Sequence, residues 1–313
     1  MSEQFPKPEQ LDMRQATLNA ELIVATTAKR PFDEQSFIDQ SSPEFNKIAV
    51  AKDLQEARNK ELTFAENKPD TPPWKLQKMK EGKLRSSAME IVIVDHGERF
   101  DWFGDKAHLS LASHYDDLIN KVDGVLEFDL EDKNPYGIAL NIDASMNTDL
   151  KTIKDKVDGN IRRVLGGGKP VEVKYFQSAV TGKKKKLTFV IPVVVGIEGN
   201  NAHKLIQLMS DIVRLKQSGS PADQEKIAMK EAEARSHPAQ IIFLREIQEQ
   251  LAFYSGELKK QGGMKELYCK EVDKLSTIIV DILKSKASLS AEALQNDGVY
   301  GSIKNALALH QKK

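Results

Sequence analysis

Residues 122–145 read VDGVLEFDLEDKNPYGIALNIDAS, and this stretch decides the fold. Apolar and non-apolar residues alternate in two runs, VDGVLEFDL and GIALNIDAS, which are joined by the turn-rich segment EDKNPYG. Such alternation is typical of β-strands, because successive side chains of a strand point to opposite faces of the sheet. The stretch therefore predicts an antiparallel hairpin with its turn near Pro135.

The same alternation places acidic residues on one face of the predicted hairpin. Pairing Leu130 with Ile138 puts Asp123 opposite Ser145 and diagonal to Asp143. Diagonal neighbours lie roughly 7–8 Å apart at the backbone, which lets two short carboxylates converge on one ion. A hard cation such as magnesium prefers oxygen ligands of this kind. We therefore expect Asp123 and Asp143 to bind Mg²⁺.

Helical patterns and further strands surround the hairpin. AHLSLAS precedes it as a strand, and VEVKYF and LTFVIPVVVGI follow it. Apolar residues recur at helical spacing in three segments around these strands, which are 44–66, 82–96 and 148–165. Beyond Asn201 the sequence predicts only helices, over 201–217, 221–255, 264–287 and 290–310. The fold class is therefore α/β, with one mixed sheet over residues 107–197 and helices at both ends.

The elements follow the order helix, strand, strand with an aspartate, turn, strand ending in an acid, helix, strand. This order resembles the core of the PD-(D/E)XK nuclease superfamily. The matching pieces are Glu90 in the leading helix, the acidic segment HYDDLINKVDGVLEF, the hairpin partner ALNIDAS and the strand VEVKYF. The resemblance covers about residues 82–177. It implies a restriction-endonuclease-like fold, with a mixed β-sheet core, flanking helices and helical extensions at both termini.

The resemblance also implies metal-assisted hydrolysis of phosphodiester bonds in nucleic acid. Asp123 and Asp143 would hold one or two magnesium ions that polarise the phosphoryl oxygens and activate a water molecule. Glu90 and Asp117 are the further acids of the implied catalytic site. In this superfamily a lysine normally stands two residues after the second acid, but Ser145 occupies that position here.

Three alternatives follow from the serine at position 145. Lys174 in VEVKYF could reach the site from a neighbouring strand and supply the missing charge. Alternatively, Glu172-Val173-Lys174 could itself be the acid-x-lysine element. In the third alternative the core keeps its shape and has lost its chemistry, and the protein serves as a scaffold or protein-interaction module.

Each acid also has a purely structural interpretation. Aspartates near hairpin ends commonly accept hydrogen bonds from local backbone, which suits Asp123. Asp143 could cap the approach to the following helix. Asp117 could belong to a loop or a helix start, and Glu90 could be a solvated side chain on its helix.

Charge and composition limit the classes of partner. The 46 basic residues balance 46 acidic ones, so the chain as a whole is not a polybasic nucleic-acid binder. A local patch remains, because Lys183, Lys184, Lys185 and Lys186 form a run between two predicted strands. This run is either a solubilising loop or a contact to the phosphate backbone of DNA or RNA. The C-terminal helices are candidates for self-association or for a protein partner.

The chain divides by pattern into an N-terminal arm with helices (1–81), a nuclease-like α/β core (82–217) and a C-terminal helical region (218–313). No apolar run reaches the roughly 18 residues that a membrane span needs. The N-terminus lacks the pattern of a secretory signal, and the single cysteine, Cys269, fits a reducing compartment. We therefore expect a cytoplasmic protein that does not interact with membranes.

Overall fold

The computed structural model describes residues 8–26, 33–66, 71–129, 140–145, 149–166, 171–188, 190–261, 266–289 and 297–311. Its helices are α1 (Pro8–Thr26), α2 (Lys47–Glu66), α3 (Pro73–Ile91), the single turn α4 (Gly97–Arg99), α5 (Leu150–Leu165), α6 (Gly199–Ser218), α7 (Gln224–Arg235), α8 (Ala239–Gln261), α9 (Glu266–Ser285) and α10 (Gly298–Gln311). Its strands are β1 (Ala107–Leu111), β2 (Gly124–Phe128), β3 (Leu140–Ser145), β4 (Val173–Gln177), β5 (Lys184–Leu187) and β6 (Ile191–Gly196). The mixed α/β class expected from the sequence is confirmed.

The main sheet has four strands in the order β1-β2-β3-β6. β2 runs antiparallel to both β1 and β3, and β6 runs parallel to β3. The antiparallel pairing of the two runs in 122–145 is therefore confirmed. The predicted turn around Pro135 and the predicted pair of Leu130 with Ile138 lie outside the described residues.

The sequence predicted one sheet over residues 107–197, and this prediction was wrong. β4 pairs only with β5 among the described strands, in a separate antiparallel ribbon. Val173, Phe176 and Leu187 of the ribbon form an apolar cluster with Val125 of β2. The ribbon therefore packs on a face of the main sheet, because its apolar side is buried there rather than at a sheet edge. The apolar run LTFVIPVVVGI is accordingly divided between β5 and β6.

The opposite face of the main sheet carries the principal core. Leu126 and Phe128 belong to a large cluster that also contains residues of α3, of α6 and of the C-terminal helices. Between α3 and α4 the chain makes a π-helical turn, Val92–His96, that packs closely on β2. A Cβ atom on Gly124 would lie 2.8 Å from Cγ2 of Val94, so glycine is required at this contact.

Helix α8 covers the edge of the sheet that β6 would otherwise expose. Gln250 accepts a hydrogen bond from the Val194 amide (2.9 Å) and donates to the Val194 carbonyl (2.7 Å). Glu246 accepts from the Gly196 amide (2.8 Å), and the Tyr254 hydroxyl donates to the Pro192 carbonyl (3.1 Å). Four residues of helix advance about 6 Å and two residues of strand about 6.6 Å, so the two spacings match. One face of α8 thus substitutes for a fifth strand.

Two sequence expectations about the ends of the chain were wrong. The N-terminal segment is not an arm, because Ala16, Ala20 and Ile23 of α1 are buried and α1 packs against α3 and α6. The predicted helix 221–255 is divided into α7 and α8, since Pro238 lacks the backbone N–H that a continuous helix needs. The principal core includes residues of all three predicted segments, from Ala20 to Leu307.

Candidate functional site

The two hairpin acids occupy opposing positions in the backbone. Val125 pairs with Asn141 and Gly124 with Ile142, so the same register brings Asp123 opposite Asp143. The ladder of β2 with β3 ends at Gly124 and Ile142, so this opposition is the register continued by one residue, whereas the hydrogen bond from the Ala112 amide to the Asp123 carbonyl (3.0 Å) lies on the β1 side. Cα atoms of directly opposite antiparallel residues lie about 4.5–5.5 Å apart.

This register corrects the expected one, in which Asp123 lay opposite Ser145. The observed pairing brings the two acids closer than the predicted diagonal arrangement does. A shift of two residues leaves both acids on the same face, because side chains of a strand alternate with a period of two. Asp123 is half-buried, and the side chain of Asp143 lies outside the described residues.

Strand β3 has a central position, since it pairs with β2 on one side and β6 on the other. Asp143 is aligned with Val194 of the parallel partner β6. After β3 the chain enters α5, whose first turn is capped by Asp149 accepting from the Thr152 amide (2.9 Å). The side chain of Asp149 therefore supplies the cap of α5, which is the structural role that the sequence also allowed for Asp143.

The two further candidate acids are placed on neighbouring elements. Glu90 is half-buried in the last turn of α3, and α3 packs against β3. Asp117 is half-buried in the π-helical turn Asp116–Asn120, which precedes β2. Glu90 therefore lies on a helix that contacts the strand of Asp143, whereas Asp117 lies on the turn that leads to Asp123.

The side chain of Lys174 contacts an aspartate of α2 and two tyrosine rings. Its ammonium Nζ lies 2.5 Å from Oδ2 of Asp53 on α2, and both side chains are largely buried. It also lies 5.9 Å from the ring centre of Tyr115 and 5.8 Å from that of Tyr175. The Tyr175 hydroxyl donates to the same Asp53 oxygen (2.7 Å). Lys174 thus holds the ribbon against α2, and its proposed catalytic role stays a prediction.

The alternative acid-x-lysine element at 172–174 is also engaged in structure. Glu172 forms an ion pair with Lys186 of the adjacent strand at 3.1 Å. The two members of that element, Glu172 and Lys174, therefore each pair with a different segment of the protein.

Asp116, rather than its neighbour Asp117, is the buried acid of this region. Its carboxylate accepts from the Lys174 and Tyr175 amides (2.8 and 2.9 Å), the Ser113 hydroxyl (2.8 Å) and the Asn120 amide (2.7 Å). Burial raises the pKa of Asp116, and these four donors oppose the rise. The Ser-x-x-Asp spacing at 113–116 was the only local signal of this role.

Glu127 is a second buried acid that fixes the ribbon. It accepts from the Ser178 hydroxyl (2.7 Å) and the Ala179 amide (3.0 Å), which lie at the turn between β4 and β5. Glu127 shares the face of β2 that Asp123 occupies, by the alternation of the strand. Glu127 is therefore held by one side-chain donor and one backbone donor of the ribbon, and Asp123 lies on the same face of β2.

The lysine run 183–186 is not a loop, because Lys184–Leu187 form strand β5. Lys184 donates to the Ser36 carbonyl (2.6 Å) and lies over the Phe37 ring. Lys186 pairs with Glu172 and Glu44, and its pKa is raised by the hydrogen bond to Glu172. Among these contacts, only those of Lys186 pair a lysine of the run with carboxylates, and within the run Lys183 and Lys184 are the exposed residues.

The donor set at the Asp123 and Asp143 positions fits a hard divalent cation, because both residues supply carboxylate oxygens. Within the described residues, no group of three or more histidine, cysteine, aspartate or glutamate side chains is arranged to hold a metal ion. Asp143 falls outside that set. A cation bound here would therefore complete its coordination with water or phosphate oxygens, as magnesium commonly does.

Comparison with known proteins finds no match to a family model, a curated protein or a solved structure. Among the described helices, none is long and apolar enough to cross a membrane.

Proposed function

We propose that this protein is a magnesium-dependent phosphodiester hydrolase that acts on nucleic acid and has a restriction-endonuclease-like core. The observation that carries the proposal is the register of β2 and β3, which sets Asp123 opposite Asp143 when it is continued by one residue. Two carboxylates at directly opposite strand positions repel each other unless a cation or a proton lies between them. A divalent cation bound by both carboxylates would remove this repulsion. Two carboxylates that bind such a cation are also what the metal site of a nuclease needs.

The order of elements supports the same proposal. Helix α3 leads into β1, β2 and β3, helix α5 follows, and β6 then pairs parallel to β3. The resemblance in the sequence took VEVKYF as the last strand, but that strand is β4 of the separate ribbon, and β6 stands beside β3 in its place. The ribbon of β4 and β5 is an insertion between α5 and β6.

Asp123 and Asp143 would hold the metal, whereas α3, the helix of Glu90, packs on the other face of the main sheet with Leu126 and Phe128. When bound, the metal supplies Lewis-acid activation of the phosphoryl oxygen and of the attacking water. The carboxylates of Asp123 and Asp143 orient that water by accepting its hydrogen bonds. Ser145 follows Asp143 at the position of the usual lysine and offers a hydroxyl for the substrate phosphate.

A second candidate function is a scaffold that has a nuclease-like shape without activity. The ion pair of Lys174 with Asp53 favours the scaffold. Lys174 was expected to replace the lysine that is missing at position 145, and the ion pair already engages its charge. The two functions differ in a measurable way, since only the hydrolase needs the carboxylates of the hairpin.

The proposal is tested by cleavage assays on single- and double-stranded DNA and RNA with and without Mg²⁺. We expect wild-type protein to cut at least one substrate with Mg²⁺, and Asp123→Asn and Asp143→Asn to lose at least about 100-fold in rate. Asp129→Asn is the matched control, because Asp129 is an exposed acid just beyond β2. No cleavage of any substrate by wild type, or equal loss in the control, would contradict the hydrolase.

A further inference from the structure

The first half of α3 stands out from the body of the protein. Residues 73–80 are all exposed, whereas the second half of the helix is buried at Arg85, Ala88, Met89 and Ile91. The exposed half and the turn after it read PWKLQKMKEGK. This segment contains four lysines and one acid, so it is strongly basic in a chain of zero net charge.

The lysines of this segment, which are Lys75, Lys78, Lys80 and Lys83, keep their charge available. None of the four forms an ion pair among the described residues. The single acid of the segment, Glu81, instead accepts a hydrogen bond from Gln77 (2.9 Å). The contrast with β5 is direct, since Lys186 there is held by two glutamates.

The helical period places the lysines on two flanks of one face. At 3.6 residues per turn, the pair Lys75 and Lys78 and the pair Lys80 and Lys83 are centred about 140° apart around the axis. Met79 lies between the two flanks. The same period puts Met79 on the side of α3 opposite to the buried Ala88 and Ile91, whereas Lys78 points in nearly the same direction as the buried Arg85, two turns further on. All four lysines are exposed, because they precede the buried part of the helix.

We propose that this face of α3 binds the phosphates of double-stranded DNA, and this inference rests on the hydrolase function proposed above. The major groove of B-DNA admits one α-helix, and phosphates line both of its walls. Lysines on both flanks of a protruding helix match the charge of both walls, while the apolar Met79 between them faces the base edges. The basic face thus replaces the lysine run of β5 as the nucleic-acid surface.

The distance along α3 from these lysines to Glu90 suits a bound duplex. Glu90 lies seven residues beyond Lys83 and fifteen beyond Lys75 on the same helix. At 1.5 Å per residue the lysines lie about 10–22 Å from Glu90 along the axis. That range equals roughly three to six nucleotide steps at 3.4 Å per step. The lysines would therefore position the duplex without touching the phosphate that is cut.

The test is equilibrium binding of a 24-base-pair duplex to the full chain in EDTA. Fluorescence anisotropy measures the binding at several salt concentrations. Replacing all four lysines by glutamine should weaken binding at least tenfold and reduce the salt slope by up to about 3.6, since each phosphate contact contributes about 0.9. Trp74 provides a second readout. It is 70% exposed beside Lys75, whereas Trp102 is fully buried, so duplex binding should change the emission of Trp74 alone.

The matched control removes four lysines from the C-terminal helices, at Lys226, Lys230, Lys259 and Lys260. Binding that falls equally in both variants, or a salt slope unchanged by the α3 substitutions, would overturn the proposal. So would equal competition by polyglutamate, or binding of phosphatidylserine vesicles without binding of the duplex. Because EDTA prevents metal-dependent cleavage, duplex binding through α3 by a protein that cuts nothing would reject the hydrolase and retain this surface.

Discussion

The register of the antiparallel strands β2 and β3, continued by one residue, places Asp123 opposite Asp143. Like charges directly opposite in a sheet are destabilising. The consequences of this opposition for stability can be measured.

Replacing Asp143 by asparagine should stabilise the metal-free protein by about 0.5–1 kcal/mol, because the repulsion of the opposing carboxylates is removed. The measurement is thermal unfolding in EDTA. With Mg²⁺ the wild type should become the more stable of the two proteins, since bound metal stabilises only the wild type. Asp129→Asn serves as the control and should respond to neither condition. A variant that is less stable than wild type in EDTA would indicate that Asp143 has a structural role.

Lys174→Met should reduce stability by about 1–3 kcal/mol, because it leaves the largely buried carboxylate of Asp53 without its cation. Asp53→Asn should have a similar cost, and the double variant should cost less than the sum of the two. Urea denaturation measures each free energy of unfolding. If Lys174→Met stays folded and cleaves nucleic acid at the wild-type rate, Lys174 is structural. Loss of cleavage at unchanged stability would instead place it in the catalytic site.

Gln250→Ala should destabilise the protein by about 2–4 kcal/mol. The substitution leaves both the amide and the carbonyl of Val194 buried without hydrogen-bond partners. Lys260→Ala on the exposed end of α8 is the control and should change stability by less than about 0.5 kcal/mol. Urea denaturation compares the two variants. A cost for Gln250→Ala no larger than the control's would show that α8 does not substitute for a strand.

Stability should fall in acid because of His237. Burial lowers the pKa of His237 to about 4, and its Nδ1 accepts a hydrogen bond from the Ala239 amide (3.2 Å). In the unfolded chain the His237 imidazole binds a proton near pH 6.5, whereas in the folded chain it stays neutral down to about pH 4. The folded state therefore loses stability as the pH falls from 6.5 towards 4. His237→Asn, which keeps an acceptor for Ala239, should flatten the stability profile in this window.

Glu246 should have the opposite dependence on pH. Burial raises the pKa of this carboxyl, whose Oε1 has no hydrogen-bond partner among the described atoms. The folded state then holds a proton that the unfolded state releases above about pH 4.5, so stability falls as the pH rises towards the folded pKa. Glu246→Gln should remove this loss, as measured by thermal unfolding from pH 5 to 9. An unchanged slope would show that Glu246 is ionised in the folded protein.

Local patterns predicted the elements of the fold better than their partners. The alternation in 122–145 was sufficient for β2 and β3, and the apolar stripe of 148–165 for α5. The register was shifted by two residues, because alternation defines faces but cannot distinguish registers that keep the same faces. The ribbon was assigned to the main sheet because its strands have the same pattern as sheet strands, and only tertiary packing separates them.

The candidate site shows the same limit. Asp123 and Asp143 were found because they lie close in sequence on one hairpin. The partner of Lys174 lies on α2, more than one hundred residues earlier, and no local pattern connects Lys174 with Asp53. The roles of Asp116 and Glu127 were missed for the same reason, since each accepts hydrogen bonds from the distant ribbon.

Direct metal binding tests the central claim most sharply. Isothermal titration of Mg²⁺ into wild-type protein, with Mn²⁺ paramagnetic resonance as a second probe, should give saturable binding of one or two ions. Asp123→Asn and Asp143→Asn should each weaken this binding at least tenfold, and Asp129→Asn should bind as wild type does. Wild-type protein that binds neither ion, or variants that bind both ions unchanged, would contradict the account.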